Sequence, residues 1–334
     1  MKALILTEKN QPLIVQEEPD PVAMAGEVVV KVYAAALNHR DLWIRKGQYA
    51  GIKYPVIPGS DGAGIVHSVG DREAAHWIGK EVMIYPSMQW GNSESHQDPV
   101  HFKILGLPDH GTLAQYVKVP IANLFEKPAY LSFEEAAAIP LAGLTAFRAL
   151  FKRAGLQPGE KILITGIGGG VAQFLLQFAV KTNAEVYVSS GDIEKIERAV
   201  TAGAHFGVNY NESGWTDQLR TKAGPIDVII DGAAGDGVSQ LLDLAKPGGR
   251  LVFYGATKGP ATQVEMRRIF WKQLNVLGST MGSPADFREL LQFLDQYHIK
   301  PVVDSIFSFS EGEKALQRMD DGHQIGKIVI KIKE

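Results

Sequence analysis

The rhythm of apolar and polar positions changes twice along the chain. Through residues 1–125 the apolar residues come in short continuous or alternating runs, KALIL, EVVVKVYAAAL, GAGIVHSVG, KEVMIYP and TLAQYVKVP, each cut by glycine or proline. Such runs bounded by turn residues predict strands, and their spacing predicts a compact, irregular, barrel-like β domain. A polar stretch over 86–111, PSMQWGNSESHQDPVHFKILGLPDHG, interrupts it, and a loop of that length is expected to be functional or mobile. The next block alternates. KILITG, EVYVSSG, IDVIIDGAA, GRLVFYGA and QLNVLGS read as strands, and GVAQFLLQFAVKTN, IEKIERAVTAG and VSQLLDLAKPG as helices between them. That alternation predicts a doubly wound parallel α/β sheet, and continuous apolar strands such as Val228 to Ile230 suit a sheet covered on both faces. The last block predicts a helix, PADFRELLQFLDQY, then the alternating strand GKIVIKIK. This strand resembles the first block and is expected to return to it. Residues 1–125 and 279–334 then form one domain, with 126–278 inserted as the other.

Length supports two domains, since soluble domains usually hold about 100–200 residues and the chain has 334. The formal net charge of −3 is dispersed, so no basic face points to nucleic acid. The absence of cysteine excludes disulfides and thiolate metal ligands. The N-terminal MKALILTEKNQ turns polar by Thr7, too soon for a signal segment, and no later run approaches the about 18 apolar residues of a membrane span. The expectation is a cytoplasmic protein with no membrane partner.

Glycines mark the candidate chemistry. ITGIGGGVAQFLLQFA sets a glycine cluster between a predicted strand and a predicted helix, the context a dinucleotide pyrophosphate requires. With Ala172 as the small third position, Gly169 is the second and Ile167 stands at the first. The following strand ends in Ser189 and Ser190, with Lys195 one helical turn on, where sites for NAD usually place a carboxylate. Hydroxyls and an ammonium suit the 2′-phosphate of NADP(H), and a solvated lysine beside two turn serines is the plainer alternative. Asp192 is expected to cap the next helix.

The chain resembles the medium-chain dehydrogenase/reductase superfamily over essentially its full length, and within it the quinone-oxidoreductase-like, zinc-type alcohol dehydrogenase-like group. The motifs are AALNHRDLWIRKG, PVIPGSDGAG, GTLAQYVKVP, LSFEEAAAIPLAGLTAF, GLQPGEKILITG, GGRLVFYGAT and the terminal GKIVI, with NHRDLW and LNVLGSTMGSPADF characteristic of the group. The resemblance implies a Rossmann domain inserted in a β-rich, GroES-like catalytic domain. It places Asn38, Ser60 and Leu141 at the zinc-ligand positions of the zinc alcohol dehydrogenases, and Asp61 at that of a neighbouring glutamate. Amide, hydroxyl and aliphatic groups do not make a zinc site, so no metal is expected. The lobe 86–111 matches the place of a four-cysteine structural zinc; here Trp90, Phe102 and Leu105 are expected to hold it by packing, or the lobe is mobile or makes a subunit contact.

Without a Lewis acid, reduction of an activated acceptor is easier than alcohol oxidation. The expected reaction is transfer of hydride from NADPH to a quinone or an α,β-unsaturated carbonyl. Alcohol or aldehyde dehydrogenation, or NADPH binding without catalysis, is the alternative. Asn38 is the candidate donor to the acceptor oxygen, or else a turn residue held by its own backbone. Ser60 is a second donor or a local turn bond. Tyr49, like Tyr54, closes the pocket or relays a proton. Asp41 is expected to orient backbone, and Trp43 replaces a relay histidine. The resemblance assigns His39 to the pyrophosphate and Thr145 to the nicotinamide. Gly169, Gly170 and Val171 follow at the pyrophosphate, and Ser190, Lys195 and Tyr210 at the 2′-phosphate. Gly255, Thr257 and Met281 lie on loops at strand ends, and Lys327 is expected to reach the phosphates or else to be a solvated strand residue. A homodimer paired through QLNVLGS is expected.

Overall fold

A computed structural model describes residues 1–333. The chain divides into two compact units, one of Met1–Leu144 with the segment from Gly282 onward, the other of Thr145–Met281. The first boundary lies later than the residue expected from pattern alone. Ser132 and Glu135 form a capping box that starts the helix Phe133–Ala137, and the Phe133 ring packs on Tyr33 at 4.4 Å between centroids. Residues 126–144 therefore belong with the β-rich unit. The second boundary falls at Met281/Gly282.

The β-rich unit is built on a seven-stranded sheet. Its main path runs Val303–Ser308, Lys327–Lys331, Glu27–Ala36, Asp61–Val69, Glu81–Ile84, Leu124–Glu126, and Tyr116–Pro120 also pairs with Glu27–Ala36. The terminal strand does return to this unit, antiparallel to the long strand with Val329 opposite Ala36. On the other side of that strand Asp61 also lies opposite Ala36. One register position thus brings three distant segments together: the 37–38 turn, the start of Asp61–Val69 and the start of Lys327–Lys331. Val30, Ile84, Leu113, Ile328 and Ile330 are among the fully buried residues that hold them.

The lobe 86–111 is ordered by packing. Trp90 is buried and meets Phe102 edge-on at 5.6 Å, Leu105 is buried in the core of the β-rich unit, and Ser87–Met88 pairs with Lys103–Ile104.

In the second unit six strands form one parallel sheet in the order Phe206–Asn209, Glu185–Ser190, Lys161–Ile164, Ile226–Asp231, Ala245–Phe253, Asn275–Gly278. This is the doubly wound arrangement that the alternation predicts. Phe206–Asn209 was not legible as a strand: it has four residues, one of them glycine, and most are partly exposed at the sheet edge. Among the described residues no helix is long and apolar enough to cross a membrane.

Candidate active site and nucleotide site

Asn38 stands immediately before the helix His39–Arg45, in extended backbone conformation. The Asp41 carboxylate accepts from the Asn38 and Gly59 backbone N–H groups at 2.8 and 3.0 Å, tying helix start to glycine turn as expected. Burial raises the Asp41 pKa above the usual carboxylate value, against the pull of Arg40, these two N–H groups and Lys327. The Asn38 side chain is fixed at both ends. Its Nδ2 donates to Asp61 Oδ2 at 2.9 Å, and its Oδ1 accepts from Lys327 Nζ at 2.6 Å. Lys327 also donates to Asp61 Oδ2 at 2.9 Å and to the Leu37 carbonyl at 2.8 Å. The other Asp61 oxygen accepts from the Leu141 N–H at 2.7 Å. Asp61 is wholly buried and Lys327 is 3% exposed. All three protons of the Lys327 ammonium are thus committed to oxygens of its own unit. That differs from the phosphate contact expected for it.

The glycines of PVIPGSDGAG face packed neighbours, not open space: Gly59 and Gly62 lie against the Thr112 side chain and Gly64 against the Lys31 carbonyl. Gly59 has φ +97°, and a Cβ on Gly106 would lie 2.6 Å from the Gly59 carbonyl oxygen. The residues next to them in sequence, Ser60 and Leu105, share a guanidinium that the sequence did not single out. Arg40 Nη1 donates to Ser60 Oγ at 2.5 Å and to the Leu105 carbonyl at 2.7 Å. Ser60 Oγ donates to the same carbonyl at 2.7 Å, so its one proton is spent there. Arg40 is 7% exposed, its Nε has no partner among the described residues, and its guanidinium lies 5.1 Å from the centre of the Tyr49 ring. The Tyr49 hydroxyl makes no hydrogen bond among the described residues, whereas Tyr54 donates to the Ile44 carbonyl at 2.6 Å and is a wall residue. His39 keeps exposed surface on the helix, while protein packed around it withdraws its ring from part of the solvent. Desolvation of its ring, then repulsion from Lys327 and Lys46, holds its pKa below the ordinary histidine value.

These residues do not fit a tetrahedral zinc. Asn38 Oδ1 and Ser60 Oγ are bonded to cations already, and Leu141 offers no donor atom. Among the described residues no group of three or more His, Asp or Glu side chains is placed to hold a metal ion.

In the second unit the glycine turn leaves the strand Lys161–Ile164. Gly166, not Ile167, is the residue with positive φ, +61°; Ile167 is fully buried and its N–H and C=O are bonded to Ser189 and Gln173. Gly169 precedes the twelve-residue helix Gly170–Lys181 with no side-chain cap, leaving the first-turn N–H groups, including those of Gly170 and Val171, for a ligand. Lys195, 9% exposed, lays its stem over the turn: a Cβ on Gly168 would lie 2.6 Å from its Cδ and 3.0 Å from its Nζ. Ser190 is buried at the strand end and its Oγ accepts from the Asp192 N–H at 3.1 Å. Asp192 caps the helix Ile193–Thr201 by accepting from the Glu194 N–H at 2.9 Å. Tyr210 closes on Gly191, whose Cβ would lie 3.1 Å from the Tyr210 hydroxyl, and Lys258 sits 4.4 Å from the Tyr210 ring centre. The glycine turn, uncapped helix and flanking cations fit a dinucleotide phosphate. Gly255 and Thr257 lie exposed in the loop after Ala245–Phe253. Met281, buried with φ +45°, and Thr145, buried in the helix Pro140–Phe147, lie at the ends of the unit.

Two family models match the chain: "Alcohol dehydrogenase GroES-like domain" over residues 24–129 and "Zinc-binding dehydrogenase" over 170–296. The zinc-type alcohol dehydrogenase-like protein YogA of Leptosphaeria maculans is 34% identical, across 96% of this chain and 95% of that protein. The quinone oxidoreductase of Mus musculus is 29% identical, across 96% and 93%. A crystal structure described as an NAD-dependent alcohol dehydrogenase superposes with a TM-score of 0.94 at 33% identity, covering all of both chains. With both family domains in order and these relatives aligned nearly end to end, the chain belongs to the medium-chain dehydrogenase/reductase superfamily.

Proposed function

We propose that the protein is a zinc-independent, NADPH-dependent oxidoreductase that reduces a quinone or an α,β-unsaturated carbonyl. Membership of the superfamily and the likeness to quinone oxidoreductases support the oxidoreductase class. The observation that carries the finer reading is the cluster around Asn38. Of the positions matching zinc ligands, the Asn38 side chain and the Leu141 N–H bond to the Lys327–Asp61 ion pair, and the Ser60 hydroxyl is taken by Arg40 and the Leu105 carbonyl.

When bound, the nicotinamide supplies the hydride, and everything else falls to this chain's side chains. In this reading Gly170 and Val171 offer backbone N–H groups to the pyrophosphate, Gly169 shapes the turn beneath it with its own N–H bonded to the Gly166 carbonyl, and His39 is a further contact. Ser190, Lys195 and Tyr210 take the 2′-phosphate. Thr145, Gly255, Thr257 and Met281 line the cofactor. Asn38 donates to the acceptor oxygen as negative charge grows there, and Tyr49, with a free hydroxyl, is the candidate proton source. Ser60 holds Arg40 in place, since its proton is spent on Leu105.

Turnover of NADPH and NADH against a panel of quinones, enals and simple alcohols, with zinc assayed on the same sample, tests this. Preference for NADPH and a quinone or enal, with no zinc bound, is expected. Oxidation of alcohols with NAD and stoichiometric zinc would overturn it and favour the second reading, suggested by the 33%-identical NAD-dependent alcohol dehydrogenase.

We also propose a homodimer. The strand Asn275–Gly278 ends the parallel sheet, and the preceding helix Met266–Trp271 buries none of its residues, leaving Phe270 and Trp271 66% and 76% exposed. Edge strands flanked by apolar surface invite pairing with a second copy.

A further inference from the structure

Counting protons around Asn38 shows one that nothing uses. The amide nitrogen carries two, and only the bond to Asp61 takes one. Its orientation is unambiguous, because Lys327 can only donate and the Asp61 carboxylate accepts from both Lys327 and Asn38. The amide plane is therefore fixed by the two members of one ion pair, Lys327 on the oxygen and Asp61 on the nitrogen, and the second N–H has no partner among the described residues. An ammonium 2.6 Å from the carbonyl oxygen of an amide draws electron density from the nitrogen and makes its free N–H a stronger donor. The arrangement is costly: Lys327 and Asp61 are both stripped of water, and a buried ion pair of this kind gives little net stability.

We propose that Lys327, with Asp61, is a positioning residue that orients and polarises the Asn38 amide, so that its free N–H is the donor to the acceptor oxygen. The buried ion pair thereby takes over electrostatic work that a metal ion would perform. This rests on Asn38 being the donor. It also gives Lys327 a role in the hydride-accepting half of the reaction, not in cofactor binding.

Lys327→Met alone would strand Asp61 as a lone buried charge and risks unfolding, so the test uses the double variant Lys327→Met/Asp61→Asn, which removes both charges together. It is compared with Asn38→Ala and with the triple variant, measuring NADPH Kd, thermal midpoint, and kcat and KM for a quinone. The expected result is a folded double variant with unchanged NADPH Kd and kcat lowered about 10- to 100-fold. Asn38→Ala should lower kcat at least as far, and the triple variant should match Asn38→Ala alone, since the pair acts through the amide. The same measurements made on Lys327→Arg should show kcat largely restored. Wild-type kcat in the double variant while Asn38→Ala is impaired would overturn the inference and leave the donor reading standing. Wild-type kcat in Asn38→Ala would overturn the donor reading itself. A weakened NADPH Kd with unchanged kcat in the double variant would return Lys327 to the phosphates.

Discussion

Replacing Lys195 by methionine separates the charge of this residue from its packing. Its stem covers Gly168, with a Cβ there predicted 2.6 Å from Lys195 Cδ, and methionine keeps most of that unbranched apolar length while deleting the ammonium. The residue is only 9% exposed, so solvent screens a bound phosphate from it weakly. A charge-assisted hydrogen bond contributes about 1.5–3 kcal/mol, and about 1.4 kcal/mol is a factor of ten. Lys195→Met should therefore raise the KM for NADPH by about 10- to 150-fold. The KM for NADH, which has no 2′-phosphate, should stay within about threefold. Steady-state KM values for both nucleotides, checked against dissociation constants from nucleotide fluorescence, give the two ratios. The NADPH effect should shrink in high salt. If both nucleotides weaken by the same factor, Lys195 acts on a part they share. If neither changes, the ammonium does not touch the cofactor, and Ser190, Tyr210 and Lys258 must account for any phosphate preference without it.

Other perturbations follow from the same geometry. Because burial raises the Asp41 pKa, its protonated form is favoured in the folded protein. The stability it contributes is present below the unfolded carboxylate pKa and is lost as pH rises through the folded value. Denaturant unfolding across the acid range should show that fall in the wild type and a flatter profile in Asp41→Asn, which also loses about 1–2 kcal/mol with the helix cap. Arg40→Leu removes one of the two donors to the buried Leu105 carbonyl and the donor to Ser60 Oγ, and should cost about 1 kcal/mol in urea unfolding. Arg40→Lys should recover only part, since an ammonium cannot reproduce the fork. Trp271→Glu should convert a dimer to monomers in sedimentation velocity while leaving the fold intact by circular dichroism, because no residue of its helix is buried within the unit.

How far the site could be read from the chain depended on the separation of its parts. The parallel sheet was legible because each strand-helix unit carries its own periodicity. The glycine turn was legible because strand, turn and helix are contiguous, although the residue needing a left-handed conformation proved to be Gly166 and not a later position. Asp192 as a cap and Asp41 as a backbone brace were legible for the same reason: each acts within a few residues of itself. Ser60 reads from the chain as a donor or a local turn bond because its partners are out of view. Arg40 lies 20 residues away and the Leu105 carbonyl 45, brought together only when Gly59 and Gly106 touch. The hardest feature was Lys327. It meets Asp61 across 266 residues through the register that sets both Val329 and Asp61 opposite Ala36, and a shift of one residue would turn its side chain to the other face of the sheet. Comparing zinc-ligand positions one at a time shows what each has lost. It does not show what fills the space, because a metal's ligands sit at the metal's own positions while a replacing cation enters from any strand that pairs nearby. The strand registry that closes the β-rich unit is thus the same constraint that delivers an ammonium to Asn38, and chemistry at this site is tied to the pairing of the last strand.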